Sequence, residues 1–218
     1  MKLVIAIFLL FLIPLSGFAE NLENCRQTTK GTDFWLGFME SRNYNRVHEL
    51  KIIVSATETT TFRITYGKSE TLFNSVYRIE ADSTIEITLP WQMFEAIGSE
   101  KVQNKGVHLV SQKPVSVYAA NWDTYSNDIA VIYPVDMLGK TYFAMCYTPY
   151  IDPSNPETGG GRNSEFLVVA TENNTTVRIS PSKVTDGGIP KDSVFEVILQ
   201  KGEVCQVQSE NIEDSDKT

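Results

Sequence analysis

The chain of 218 residues carries 19 Lys+Arg against 27 Asp+Glu, a formal net charge of −8. That balance works against a nucleic-acid partner, because phosphate binding needs clustered cations. Its acidic side chains are scattered singly, the pattern of an ordinary solvated surface and not of a charged tail.

Residues 1–19 read as a secretory signal peptide. Lys2 precedes an apolar run from Leu3 to Pro14, and Ser16-Gly17-Phe18-Ala19 forms a small-residue exit before Glu20. The run is too short for a membrane span, which takes about 20 apolar residues. Cys25 lies several residues beyond the expected cleavage point, so a lipid anchor is not expected. The protein is therefore expected to be secreted, extracellular or at the cell surface.

The rest of the chain reads as short β-branched and aromatic runs. Phe34–Met39, Leu50–Ser55, Thr61–Tyr66, Ser83–Leu89, Val107–Ser111 and Val115–Ala120 are predicted strands. Within Ser83–Leu89 apolar and polar residues alternate, as a strand with one wet face requires. A short helical turn is predicted over Trp91–Ile97, after Pro90. Further strands are predicted at Ile129–Tyr133, Tyr142–Tyr147, Glu165–Ala170, Thr176–Ser180, Val194–Leu199 and Glu203–Val207. Between them, the longest connection is Asp152–Asn163, with Pro153, Pro156 and Gly159-Gly160-Gly161.

Two segments resemble each other. Leu50–Thr65 (LKIIVSATETTTFRIT) and Glu165–Ser180 (EFLVVATENNTTVRIS) each run from an apolar strand through Ala-Thr-Glu to Thr-Thr and an alternating strand. Ser83–Leu89 finds its echo in Ser193–Leu199. The spacing, from Ala56 to Ala170, exceeds the roughly 20–50 residues of solenoid repeats. These features predict an all-β chain of tandem antiparallel β-sandwich units arising by internal duplication, with a first unit over residues 20–150 and a second over 151–218. In the first unit a strand around Lys113–Ala119 follows, and its counterpart would begin near Thr218, so the second unit is expected to be incomplete and the chain a truncated version of a longer one.

Catalytic chemistry is thinly represented. His48 and His108 are the only imidazoles, and no Gly-x-Ser-x-Gly elbow, His-Glu-x-x-His helix or Cys-x-x-Cys pair occurs. Leu138-Gly139-Lys140-Thr141 resembles the end of a phosphate-binding loop, but Pro134 stands where the motif needs glycine, so it reads as a turn between strands. Asp123, Asp128 and Asp136 fit no calcium loop and read as turn-capping residues. No cofactor or metal is expected, and no catalytic residue.

Of the three cysteines, Cys25, Cys146 and Cys205, the last two fall in predicted strands and form the candidate disulfide. Trp122, Asp123, Tyr125 and Asp128 form a candidate ligand-contact loop, since an exposed aromatic beside polar groups suits a sugar or a protein surface. Asp152–Asn163 is a second candidate loop, and Asn173-Asn174-Thr175-Thr176 holds glycosylation acceptors.

Gly31-Thr32-Asp33-Phe34-Trp35-Leu36-Gly37-Phe38-Met39, Lys113–Tyr118, then Asp128 with Tyr133–Gly139 and Tyr142, and finally Ala170–Val177, together resemble the IgGFc-binding protein N-terminal domain family. Members are a mucus-associated animal protein and many secreted proteins of Bacteroidetes. The resemblance implies an extracellular binding or adhesion module with no catalytic residues to carry over. Its partner would be an unidentified extracellular protein or glycan, or further domains of the same protein. Two other readings stand beside it: an extracellular carbohydrate-active enzyme, in which a carboxylate pair does the chemistry, and a structural spacer of a larger surface protein.

Overall fold

The structure, a computed structural model, describes residues 28–41, 48–66, 73–122, 127–146 and 163–210. The signal peptide, Cys25, Asp123, Tyr125 and nearly all of Asp152–Asn163 lie outside these residues. What is described is almost wholly β, as the alternation predicts. Its strands are β1 (Lys30–Leu36), β2 (Glu49–Ala56), β3 (Thr60–Tyr66), β4 (Asn74–Ile79), β5 (Ser83–Leu89), β6 (Lys101–Gln103), β7 (Val107–Trp122), β8 (Asn127–Ile132), β9 (Glu165–Val169), β10 (Thr175–Ile179), β11 (Phe195–Leu199) and β12 (Val204–Gln208). One helical turn, α1 (Trp91–Phe94), follows Pro90, where the missing N–H of proline costs nothing.

The two strands expected at Val107–Ser111 and Val115–Ala120 are one continuous strand. Strand β7 runs 16 residues straight through Lys113-Pro114. Proline is tolerated there because both flanking ladders change partner at that point. On one edge β3 pairs with Val107–Ser111 and β2 takes over at Val115; on the other, the β1 ladder is irregular between Val110 and Val115, and β8 takes over at Val117. No ladder bond is lost where proline cannot donate one.

Four strands thus share β7, and the seven-stranded sheet curls around it. Its inner face follows one parity: Phe34 and Leu36 of β1, Leu50, Ile52 and Val54 of β2, Phe62 and Ile64 of β3, and Val107, Leu109, Val115 and Val117 of β7 are all buried. Phe38 and Phe94 cap this core, with Tyr66 and Phe73 edge-on to Phe94. Burying each such side chain contributes roughly 1.5–3 kcal/mol.

The remaining strands form two small sheets. β10 and β11 make a two-stranded ribbon, and β6-β12-β9 a three-stranded sheet. Strand β6 comes from the expected first unit and β12 from the second, paired through Val102↔Cys205, so the division at residue 150 is bridged by a ladder. β12 is buried along its whole length. Cys205 packs with Leu199 and Ala170, joined by Val168, Val177 and Val197. Two expectations differ. Tyr142–Cys146 carries no strand, and the residues are exposed, without a ladder partner. Strands β4 and β6 were not expected at all, because Asn74-Ser75-Val76-Tyr77-Arg78 and the three residues Lys101–Gln103 lack a clean apolar alternation.

Where the sheets meet, the N–H of Gly106, just before β7, donates to the carbonyl of Gly202, in the turn before β12, at 3.0 Å. A Cβ on Gly106 would stand 2.7 Å from that carbonyl oxygen. Backbone cannot swing aside as a side-chain end can. Gly106→Ala is expected to destabilise the fold by about 1–3 kcal/mol, read as a lower thermal midpoint, whereas Gly139→Ala, whose nearest neighbour is a side-chain oxygen 3.9 Å away, should leave the midpoint unchanged.

Candidate functional site

Antiparallel register sorts every residue of β7 and β8 to one face or the other. Trp122, Ala120 and Tyr118 stand opposite Asn127, Ile129 and Val131 on the outer face, and β2 continues it with Glu49, Lys51 and Ile53. Here Trp122 is 52% exposed, Ile129 66% and Val131 40%. The Lys51 ammonium lies 4.9 Å from the centre of the Trp122 ring and is held by Glu86 at 2.6 Å and Glu49 at 3.2 Å. Those hydrogen bonds raise the Lys51 pKa. The result is an aromatic and aliphatic sheet face bordered by a fixed cation.

Of the candidate ligand-contact residues, Trp122 belongs to this face. Asp128 does not: it pairs with Asn121 and so projects from the opposite side of the sheet. Both lie on strands and not in a loop, since β7 extends to Trp122 and β8 begins at Asn127. Ile129 and Val131 were missed as site residues. A strand-borne apolar residue reads as core from sequence, whereas among the described residues nothing packs over this face of β8.

A second feature lies between the sheets. An open apolar cleft of about 380 Å³ is lined by Leu36, Gly37 and Met39 after β1, Ile132 of β8, Ala144–Cys146, and Glu165, Phe166, Leu167 and Val169 of β9. The Leu167 and Val169 side chains close over Gly37, where a Cβ would stand 2.6 Å from the first and 3.2 Å from the second.

At the end of this cleft sits a layer of carboxylates and amides. Gln206 accepts from the Glu40 N–H at 2.9 Å and donates to the Gly98 carbonyl at 3.3 Å; the Gly98 N–H donates to Glu40 Oε2 at 2.6 Å. The Gln208 side-chain amide donates to Glu165 Oε2 at 2.9 Å, and the Gln208 main-chain N–H donates to the Ser99 hydroxyl oxygen at 2.8 Å. Glu95, almost fully buried, accepts from the Ser41 N–H and lies 3.4 Å from Nε2 of buried His48. The Lys105 ammonium donates to the Glu95 carbonyl.

Burial governs the protonation of this layer. It pushes the Glu95 carboxyl up, against the Ser41 hydrogen bond and His48, and pushes the Lys105 ammonium down. Glu165 is raised to about 7, first by burial and then by the nearby Glu40 and Glu95 carboxylates, while the Gln208 amide pulls the other way. The carboxylates and amides are engaged with one another and with backbone, and so join the sheets. Among the described residues no three His, Cys, Asp or Glu side chains are grouped to hold a metal ion.

His108 is structural in its surroundings. Its ring stacks on Trp35 at 4.2 Å between centres, and its Nε2 meets Asp33 Oδ1 at 2.8 Å. Cys146 and Cys205 are not brought together: both thiols are free, Cys146 exposed and donating to the Glu165 carbonyl at 3.2 Å, Cys205 buried opposite Val168. Burial pushes the Cys205 thiol up, assisted by Glu100. Asp136 lies on a helical turn against Thr32 and Asp33. Among the described residues neither helix nor strand occupies Thr141–Cys146, so the strand expected directly after the Gly139-Lys140 turn is not there.

Because the folded Glu165 carboxyl sits above its ordinary value of 4.5, its ionisation opposes folding. The penalty is absent below about pH 4.5, grows as pH rises towards 7 and is complete above it, on the order of 3 kcal/mol. Glu165→Gln, which keeps an acceptor for Gln208, should raise the thermal midpoint at pH 8 and leave it unchanged at pH 4.5. Midpoints measured across that range check this.

Comparison with known proteins adds the following. Residues 128–216 match the family model described as IgGFc binding protein, so the resemblance carried by the sequence holds over the part of the chain from β8 onward. No curated protein matches the chain. A crystal structure of a Thermotoga maritima protein is similar at 16% identity, covering 49% of this chain and 97% of that one, with a TM-score of 0.33, too low to bear on fold or function.

Proposed function

We propose that this chain is a secreted or cell-surface binding module whose ligand is an extracellular protein, engaged by the outer face of β2, β7 and β8. The observation that carries this reading is the exposure of Trp122, Ile129 and Val131 side by side on one sheet face. Contiguous exposed apolar surface is costly in water and marks interaction sites. A flat strand-borne face suits another protein surface, whereas small ligands are held in concave sites that enclose most of their area.

The family match from Asp128 onward supports a binding role, and it includes Ile129 and Val131. Among the described residues no helix is long and apolar enough to cross a membrane. The module acts without catalysis in this reading, its carboxylates serving to join the sheets. Adhesion follows when such a module is displayed at a surface.

Immobilised immunoglobulin Fc, the ligand named by the matched family, is the first probe, alongside a panel of extracellular glycoproteins. Trp122→Ala with Ile129→Lys is expected to weaken any binding at least tenfold while leaving the thermal midpoint within a few degrees, since both side chains are exposed. Binding that survives the double variant overturns the assignment of this face. Export is tested separately: expression with residues 1–19 intact should yield a processed product beginning at Glu20 by mass.

A further inference from the structure

Two apolar cores meet across the layer of carboxylates and amides. One fills the curl of the seven-stranded sheet, and the other gathers around Ala170, Leu199 and Cys205. Glu40 stands on the side of the seven-stranded sheet, in the segment after β1, whereas Glu165 belongs to β9 and Gln206 and Gln208 to β12. Both glutamines reach across. Gln206 accepts from the Glu40 N–H at 2.9 Å, and the Gln208 amide nitrogen donates to Glu40 Oε2 at 3.4 Å. That same nitrogen donates to Glu165 Oε2 at 2.9 Å. Two carboxylates on opposite sides of the joint thus converge on one amide group. Like charges so placed oppose each other's ionisation, and one of the pair holds its proton more tightly.

Other titratable groups face this pair from the neighbouring elements. Glu95, almost fully buried after α1, adds a third carboxylate. Buried His48, before β2, lies 3.4 Å from Glu95, and the Lys105 ammonium, before β7, donates to the Glu95 carbonyl. Both cations are thus set against Glu95. The Cys146 thiol meets Glu165 at its carbonyl and not at its carboxyl. Burial, then the Glu40 and Glu95 carboxylates, raise Glu165 to about 7, so the pair takes its second charge near neutral pH.

We propose that this layer is a proton-operated joint: a proton held by the Glu40 and Glu165 carboxylates keeps β9 and β12 closed on the segment after β1, and its loss to solvent lets the β6-β12-β9 sheet part from the seven-stranded sheet while each stays folded. The joint gives way first because the new charge is placed inside it, whereas the apolar cores on either side do not respond to protonation. Parting also widens the apolar cleft, since Leu36, Gly37 and Met39 form one wall and Leu167 and Val169 the other. The outer face around Trp122 takes no part.

Hydrogen exchange of the full chain, read residue by residue at about pH 5.5 and about pH 8.5 and corrected for the intrinsic rate at each pH, tests this. The Glu40 and Gly98 amides, which donate to Gln206 and Glu40, are expected to lose protection at least tenfold at the higher pH, while amides within β2, β5 and β7 change by less than twofold. Glu165→Gln, which cannot take the charge, should abolish the loss. Glu40→Gln, which keeps an acceptor for the Gly98 N–H but removes the opposing charge, should shrink it and move its midpoint to lower pH; this variant decides the matter if Glu165→Gln fails to fold. Protection that falls equally at the joint and in β2, β5 and β7 overturns the proposal, because it reports global unfolding. So does protection that does not change with pH, or an undiminished loss in either variant.

Discussion

Everything in the larger sheet depends on one strand serving four neighbours. β7 has two edges and 16 residues, and it divides each edge between two partners at Lys113-Pro114. Proline elsewhere in a central strand would remove a bond that the interior could not replace. Here it sits where one neighbour leaves and the next arrives, so the chain passes through without an orphaned acceptor. Inner-face parity is unbroken across this junction, since Leu109 and Val115 both point into the core. The curl of the sheet, and hence its enclosed core, follows from that continuity.

A second constraint couples the smaller sheets to the first. Gln206 presents its side-chain amide to the Glu40 N–H after β1 and to the Gly98 carbonyl after α1, while the Gln208 side-chain amide donates to the Glu40 and Glu165 carboxylates and its main-chain N–H to the Ser99 hydroxyl. Amides can donate and accept at once, which apolar residues cannot, so they fix register as well as proximity. The same layer gathers Glu40, Glu95 and Glu165, and burial raises the carboxyl pKa of Glu95 and Glu165 there. Within it Glu95 accepts from the Ser41 N–H and Glu40 from the Gly98 N–H.

The face proposed for binding lies along β8, which among the described residues pairs with β7 alone and keeps its outer residues wet.

Strand character, the helical turn after Pro90 and the alternation that sorts inside from outside were legible in the sequence, because they depend on periods of a few residues. Ser83–Leu89 is a strand to the residue. Pairing was not legible, because it depends on which distant segment can satisfy a given edge. That is why Val107–Ser111 and Val115–Ala120 read as two strands, why Tyr142–Tyr147 read as a strand although among the described residues no ladder partner meets Tyr142–Cys146, and why β6 shows only in the ladder that β12 supplies. The same division applies to function. The residue types and family resemblance pointed to binding by themselves; that Trp122 and Asp128 face opposite ways and that Cys146 and Cys205 stay apart were decided only in three dimensions, where hydrogen-bond geometry assigns each backbone group a single direction.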